Sequence, residues 1–296
     1  MAGGKELKMK IYIVDSFTEK RFCGNQAGVV LLESGEDFPE PDYMRQLAAE
    51  LRYSETAFIK KLEKEVFKLR YFTPMQEVEL CGHATIAAFT VLHKEGVIKA
   101  GSCRAETMAG DLEVKVSEKD IWMEMAVPRI IKIFDQEESE ALYTSLSLDK
   151  YDAPEAMIPQ IINTGLSDIM LPVKNQKALE EAVLKAQEVS LLSAAYSVTG
   201  IHLFCLEKDI EITARCRNFA PVCGIDEESA TGTSNGALTW YLRQYGIVKP
   251  NEINRFVQGE AMGKPSVIKT IFDEKEGKPR IRVGGAAVIV LKGALV

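Results

Sequence analysis

The sequence predicts an α/β (α+β) chain of two pseudo-symmetric halves, each a curved, mainly antiparallel sheet wrapped around a central buried helix. Three observations lead there. Two glycine-containing turns, Leu80-Cys81-Gly82-His83-Ala84-Thr85 and Ala230-Thr231-Gly232-Thr233-Ser234-Asn235, each open a segment that is apolar on nearly every side. With Gly82 laid on Gly232, Leu92 falls on Leu242, Gly96 on Gly246 and Val97 on Ile247. Ahead of the two turns, Arg70-Tyr71-Phe72-Thr73-Pro74 is echoed by Arg217-Asn218-Phe219-Ala220-Pro221. Self-similarity on this scale marks a duplicated architecture. A helix apolar around its whole circumference must be enclosed, and a sheet wrapped around it does so.

Taken in order, Lys10 to Val14 and Ala27 to Leu32 read as strands, with the polar turn Phe22-Cys23-Gly24-Asn25-Gln26 between them. Pro41 to Leu51 reads as a helix, because proline in a first turn lacks only an N–H that has no helical partner there. Glu55 to Lys60 and Val66 to Phe72 are β-rich runs around a charged turn, which predicts a hairpin. The first buried helix follows, ended by Gly96, where a left-handed residue is needed. Strands are expected near Ser102–Thr107, Leu112–Val116 and Ile121–Ala126. The acidic stretch Phe134 to Ala156 reads as a linker, so the halves are expected at 1–127 and 128–296. In the second half, Ser167 to Val173 is strand-like and Gln176 to Leu192 has helical period. Ile201–Leu206 and Ile212–Phe219 precede the second buried helix, and strands near 256–258, 266–272, 280–283 and 287–291 follow it.

Bulk properties narrow the function. The 296 residues are ample for a sizeable core. A net charge of -7 with dispersed Lys and Arg argues against nucleic-acid binding. No apolar run reaches the ~20 residues of a membrane span, and the polar stretch Met1 to Lys10 lacks a signal-peptide core. A cytoplasmic location with no membrane partner is the expectation. The six cysteines have irregular spacing, which suits free thiols. None of the three histidines stands at a metal-ligand spacing, so no metal is expected. Nucleotide loops, zincin pairs and serine-hydrolase elbows are absent from the sequence.

Chemistry concentrates at the two helix starts. A helix N-terminus presents unpaired N–H groups and partial positive charge, and two of them facing one another would cradle a carboxylate. Ser54-Glu55-Thr56 puts a carboxylate at the mouth of an apolar strand, where a desolvated acid suits proton transfer. A Glu at a strand start is also a common solvated edge residue, and spacing alone leaves both readings open. His83 follows Gly82 directly; the helix dipole favours its neutral form, fit to relay a proton or to serve as a structural hydrogen-bonder. Cys81 at the same turn is open to activation as a thiolate, but its counterpart is Thr231. Asp226-Glu227-Glu228, just ahead of Gly232, also fits simple dipole compensation.

Together, Met9 to Phe17, Gly24-Asn25, Ser54-Glu55-Thr56, Arg70 to Pro74, Glu79 to Thr85, Gly224 to Gly236, Gln258-Gly259 and Val283-Gly284-Gly285 resemble the PhzF-like phenazine-biosynthesis isomerase family. The resemblance implies the diaminopimelate-epimerase-like fold, an active site between the halves, a homodimer and no metal or organic cofactor. It also implies proton abstraction and return in a small carboxylate-bearing substrate. Glu55, His83 and Glu228 carry over as catalytic, and Asn25, Ser54, Gly82, Gly232 and Thr233 as substrate-binding. Glu228 stands where the family usually has Asp, and Thr233 where it has Ser. Two other functions stay open: an epimerase, racemase or dehydratase working through Cys81, and a non-catalytic protein that binds a small acid.

Overall fold

In the computed structural model, which describes residues 9–207 and 211–295, the chain divides into two compact units. The polar stretch up to residue 8 lies outside the described residues. The first unit runs to Met123 and is joined by the chain from Gly285 onward; the second is Glu124–Gly284. The expected division at 127 and 128 left the last strand with the second half, whereas it pairs with the first strand of the chain.

The first unit contains β1 (Met9–Ser16), β2 (Asn25–Leu32), α1 (Pro41–Leu51), β3 (Thr56–Glu63), β4 (Val66–Phe72), β5 (Glu77–Val78), α2 (Gly82–Lys94), β6 (Gly101–Thr107), β7 (Gly110–Val116) and β8 (Ile121–Glu124). The second contains β9 (Arg129–Ile133), α3 (Gln136–Ser145), β10 (Gln160–Asn163), β11 (Ser167–Pro172), α4 (Gln176–Glu181), α5 (Ala186–Tyr196), β12 (Ile201–Leu206), β13 (Ala214–Ala220), β14 (Ile225–Glu228), α6 (Gly232–Gln244), β15 (Ile253–Gln258), β16 (Ser266–Lys275) and β17 (Lys278–Gly285). The returning strand is β18 (Ala287–Ala294).

Strand order in the first unit is β18-β1-β2-β3-β4-β6-β7-β8. Successive pairs are antiparallel, antiparallel, parallel, antiparallel, parallel, antiparallel and antiparallel. The second unit, β9-β10-β11-β12-β13-β15-β16-β17, has the same succession of senses. In each, an arginine on the fifth strand grips a carboxylate on a short flanking strand. Arg70 binds both oxygens of Glu77 at 2.7 Å, and Arg217 binds both oxygens of Glu227 at 2.9 and 2.8 Å. Such two-point pairs fix a side chain in direction as well as distance.

The enclosed helices behave as their composition dictates. In α2 every residue from His83 to Leu92 is buried, and in α6 only Thr233 and Trp240 are half-exposed between Gly232 and Leu242. Gly96 and Gly246 take φ of +72° and +71°, and both helices close with the same bonds, Val97 N–H to the Leu92 carbonyl and Ile247 N–H to the Leu242 carbonyl. The opposite side of the first unit's strands is covered by α1, through Met44, Leu47 and Ala48 on Val30, Phe58 and Phe72. In the second unit α3, α4 and α5 share a larger core that includes Leu142, Leu179, Val189, Ile201 and Leu203.

The short strands β5, β9, β10 and β14 were not anticipated, and two helical regions also depart from the sequence expectation. The presumed linker contains α3, started by a reciprocal capping box between Asp135 and Glu138. The helix expected over Gln176–Leu192 is two helices. Between them the amides of Val183 and Lys185 donate to the carbonyls of Leu146 and Ser145, and Arg217 Nη1 takes the freed carbonyls of Leu179 and Ala182.

Candidate active site

The start of α2 is built by three strand ends. Ser16, closing β1, donates its hydroxyl to the His83 carbonyl at 2.8 Å. Asn25, opening β2, places Nδ2 3.3 Å from His83 Nδ1. Glu55 immediately precedes β3, and its carbonyl accepts the Gly28 amide, which fixes the backbone beside the parallel β2–β3 pair. Gly28 itself has no room for a side chain, since a Cβ there would lie 2.6 Å from Thr56 Oγ1.

These supports converge on one imidazole. His83 Nε2 lies 3.3 Å from Glu55 Oε2 and 3.4 Å from Ser54 Oγ. Cys81 Sγ lies 3.4 Å from Nδ1 and 3.9 Å from Nε2. Cys81 is the N-cap, in extended backbone, and its thiol faces the imidazole instead of capping the helix. One turn into the helix, Thr85 donates its hydroxyl back to the Cys81 carbonyl at 2.7 Å, and its oxygen also meets Tyr71 OH. Burial pushes the His83 pKa below its ordinary value; the neighbouring Glu55 and a backbone hydrogen bond with Gln26 oppose the shift. The neutral ring expected from the helix dipole is therefore favoured chiefly by desolvation. The Glu55 side chain keeps 17% exposure while its Oε2 is buried and makes no hydrogen bond among the described residues. A partly sealed carboxylate against a neutral imidazole is equipped to take and return a proton.

The start of α6 is organised differently. Glu228 ends β14, and its carboxylate accepts the Thr231 hydroxyl at 2.5 Å. Fully buried Gln258, at the end of β15, ties the turn together. Its Nε2 donates to the Glu228 carbonyl at 2.7 Å, and its Oε1 accepts from the Thr231 amide and from Asn235 Nδ2. Thr233 is half-buried, with its carbonyl accepting the Thr164 hydroxyl at 3.0 Å. One position on, Ser234 donates to Asp168 Oδ2 at 2.7 Å and accepts from Asn218, which lies 3.2 Å from His202 Nδ1. Burial pushes Asp168 up to about 6 and His202 down to about 3.

The residues expected from the first half, Asn25, Ser54, Glu55, Gly82 and His83, thus meet at the start of α2, with Cys81 among them. Those from the second half, Glu228, Gly232 and Thr233, meet at the start of α6. Asn218, His202 and Asp168 were not among the expected site residues, and Gln258 entered only through the Gln258-Gly259 match, a signal that could have marked it for the site. Metal-ligand spacing showed nothing because Glu55 is remote in sequence from Cys81 and His83, yet the fold brings donor atoms of all three within 4.8 Å of one another.

A family model described as phenazine biosynthesis-like protein matches residues 14–293. An uncharacterized isomerase of Clostridium acetobutylicum is 35% identical, over 98% of this chain and 98% of that protein. An uncharacterized isomerase of Bacillus subtilis is 32% identical, over 93% and 94%. Among solved structures, a phenazine biosynthesis protein of the PhzF family from Bacillus anthracis superposes with a TM-score of 0.86 at 25% identity, over 98% and 99% of the chains. The fold extends to a hydroxyproline epimerase from Agrobacterium vitis, at a TM-score of 0.60 and 13% identity, over 98% and 93%.

Proposed function

The chain belongs to the phenazine biosynthesis-like protein family and is an enzyme of isomerase type, and from that premise we propose that it moves a proton, and with it a double bond, within a small carboxylate-bearing substrate without an organic cofactor. Glu55 is the general acid/base. It removes a proton from carbon next to an activating group and returns it at another carbon of the same π-system, so atoms and charge balance with no oxidant. His83, neutral and held by Asn25, steadies the carboxylate and relays the proton; Ser54 and the Gly82 amide bind substrate oxygen. Glu228, Gly232 and Thr233 are assigned to the same reaction by their match to the family's second motif. The observation that carries the reading is the Glu55 carboxylate beside the His83 ring, half-shielded at a helix N-terminus. Internal duplication, a homodimer and a cytoplasmic location belong to the same reading.

The test is exchange in deuterated water with a panel of small β,γ-unsaturated and dihydroaromatic acids, followed by NMR and mass spectrometry. The reading expects an acid that isomerises with deuterium uptake, and loss of that uptake in Glu55→Gln. Uptake at full rate in Glu55→Gln would overturn it.

The 3.4 Å approach of Cys81 Sγ to His83 Nδ1 favours one second reading, an epimerase, racemase or dehydratase that uses the thiol. Thr231 at the matching position offers no partner thiol, which counts against a two-thiol exchange. Loss of activity on alkylation of Cys81, prevented by substrate, would support this alternative. Tight binding of an acid with no exchange would support a binding protein instead.

A further inference from the structure

We propose that Glu55, Cys81 and His83 form a binding site for a soft divalent cation, Zn2+ foremost, and that the ion switches the enzyme off by occupying its acid/base group. The inhibitory half of this rests on the isomerase reading above; the binding half does not. The geometry is already close to what the ion requires. His83 Nε2 and Glu55 Oε2 are 3.3 Å apart, Nε2 and Cys81 Sγ are 3.9 Å apart, and all donor atoms lie within 4.8 Å of one another. A tetrahedral zinc with ordinary bonds to sulfur, nitrogen and oxygen spaces its ligand atoms by roughly 3.3–3.6 Å. The two His83 contacts are within a few tenths of an ångström of that spacing, and Glu55 and Cys81, no more than 4.8 Å apart, close the rest by side-chain movement of about an ångström or less each.

The donor set also selects the metal. Thiolate and imidazole suit Zn2+ and exclude a preference for Mg2+ or Ca2+, which seek all-oxygen shells. Three protein ligands leave a fourth position for water or a substrate carboxylate. Glu55 Oε2 is the second, independent pointer: a buried carboxylate oxygen with no hydrogen bond among the described residues, directed at the imidazole. Binding replaces the Cys81 S–H bond by a metal–sulfur bond and releases one proton to solvent. The supports that hold His83, Ser16 on its carbonyl and Asn25 at its ring, pre-set the ligand's orientation in the way outer partners do at metal sites.

The experiment titrates chelator-dialysed, reduced protein with Co2+, whose thiolate charge-transfer absorption reports sulfur ligation, and then displaces it with Zn2+. One equivalent is expected, with the band lost in Cys81→Ser and affinity weakened at least tenfold in Glu55→Gln. Cys223→Ser, at an exposed thiol elsewhere, should bind as the parent does. Should Cys81→Ser fail to fold, alkylation of the parent protein mapped by mass spectrometry replaces it, with Zn2+ protecting Cys81 and leaving Cys223 reactive. No band, a band that survives in Cys81→Ser, or no protection of Cys81 overturns the site. No substrate enters these measurements, so their failure is separate from failure of the isomerase reading. With a working substrate, stoichiometric Zn2+ should abolish deuterium uptake and a chelator restore it; full uptake in the metal-bound protein overturns the inhibitory half.

Discussion

At the start of α2 the side chains around the N-cap leave a carboxylate and a thiol facing one imidazole; at the start of α6 the corresponding groups are tied to one another. Cys81 lies against His83, whereas Thr231 is hydrogen-bonded to Glu228 and its amide to Gln258. The contrast is sharpest one strand away. The Glu55 carbonyl accepts the Gly28 amide just before β3, and the Gly200 carbonyl accepts the Ile169 amide just before β12. The position that carries a carboxylate in the first unit is thus glycine in the second, where a Cβ would overlap the Phe219 carbonyl oxygen. The second unit supplies its carboxylate from Asp168 instead, 1% exposed and engaged by Ser234. One backbone plan therefore yields one tip where a carboxylate and a thiol face an imidazole, and one where Glu228 is bonded to Thr231 and a second acid, Asp168, is buried.

Four measurements can break or sharpen this contrast. The largest effect is expected from Glu55→Gln, which should lower exchange by about 10²–10⁴-fold while leaving the melting temperature near the parent's. A drop of less than tenfold would remove Glu55 from the acid/base role. Next, Gly200→Ala should cost about 3 kcal/mol in chemical denaturation, because the added methyl meets backbone that cannot yield. The matching change at Gly82 meets only the flexible end of Met123 and should cost far less stability.

Third comes the sealed acid. Folding raises the Asp168 pKa from 3.8 to about 6, so the folded state holds that proton more tightly than the unfolded state. Its contribution to stability is complete below pH 3.8 and is lost as pH rises through 6, by up to about 3 kcal/mol. Melting curves across pH 4–7 should show that loss, and Asp168→Asn should remove it; an unchanged slope in the variant would place the titration elsewhere. The smallest difference separates the two arginine grips. Arg217→Lys should destabilise more than Arg70→Lys, by about 1–2 kcal/mol, since Arg217 also holds the carbonyls at the α4–α5 break. Equal losses would mean that those carbonyls find other donors.

The periodicity of the sequence was enough to locate both enclosed helices, their glycine exits and the hairpin of β3 and β4, because each rests on local pattern. The α3 capping box was equally local, Asp135 three residues before Glu138, but was hidden by the acidic composition around it. The break between α4 and α5 could not be read, since it depends on Arg217 and on the α3 end, both distant in sequence. Glu55 and His83 were legible as candidates by residue type and by family resemblance. Their meeting with Cys81 was not, because Glu55 arrives on a different strand. The Asp168–Ser234–Asn218–His202 chain was invisible for the same reason: its four members come from four elements, and the stretches that contain Ser234 and Asn218 give no sign of Asp168 or His202.

The return of β18 to β1 has a bearing on how the molecule is made. Lys10 waits for Ala294, and Ser16 for Ala287, so the outer strand of the first sheet cannot be laid down until the whole of the second unit has left the ribosome. The stretch from Glu124 to Gly284 is continuous and can close on itself beforehand, while the N-terminal sheet stands with one open border. The half that carries Glu55 is begun first and finished last.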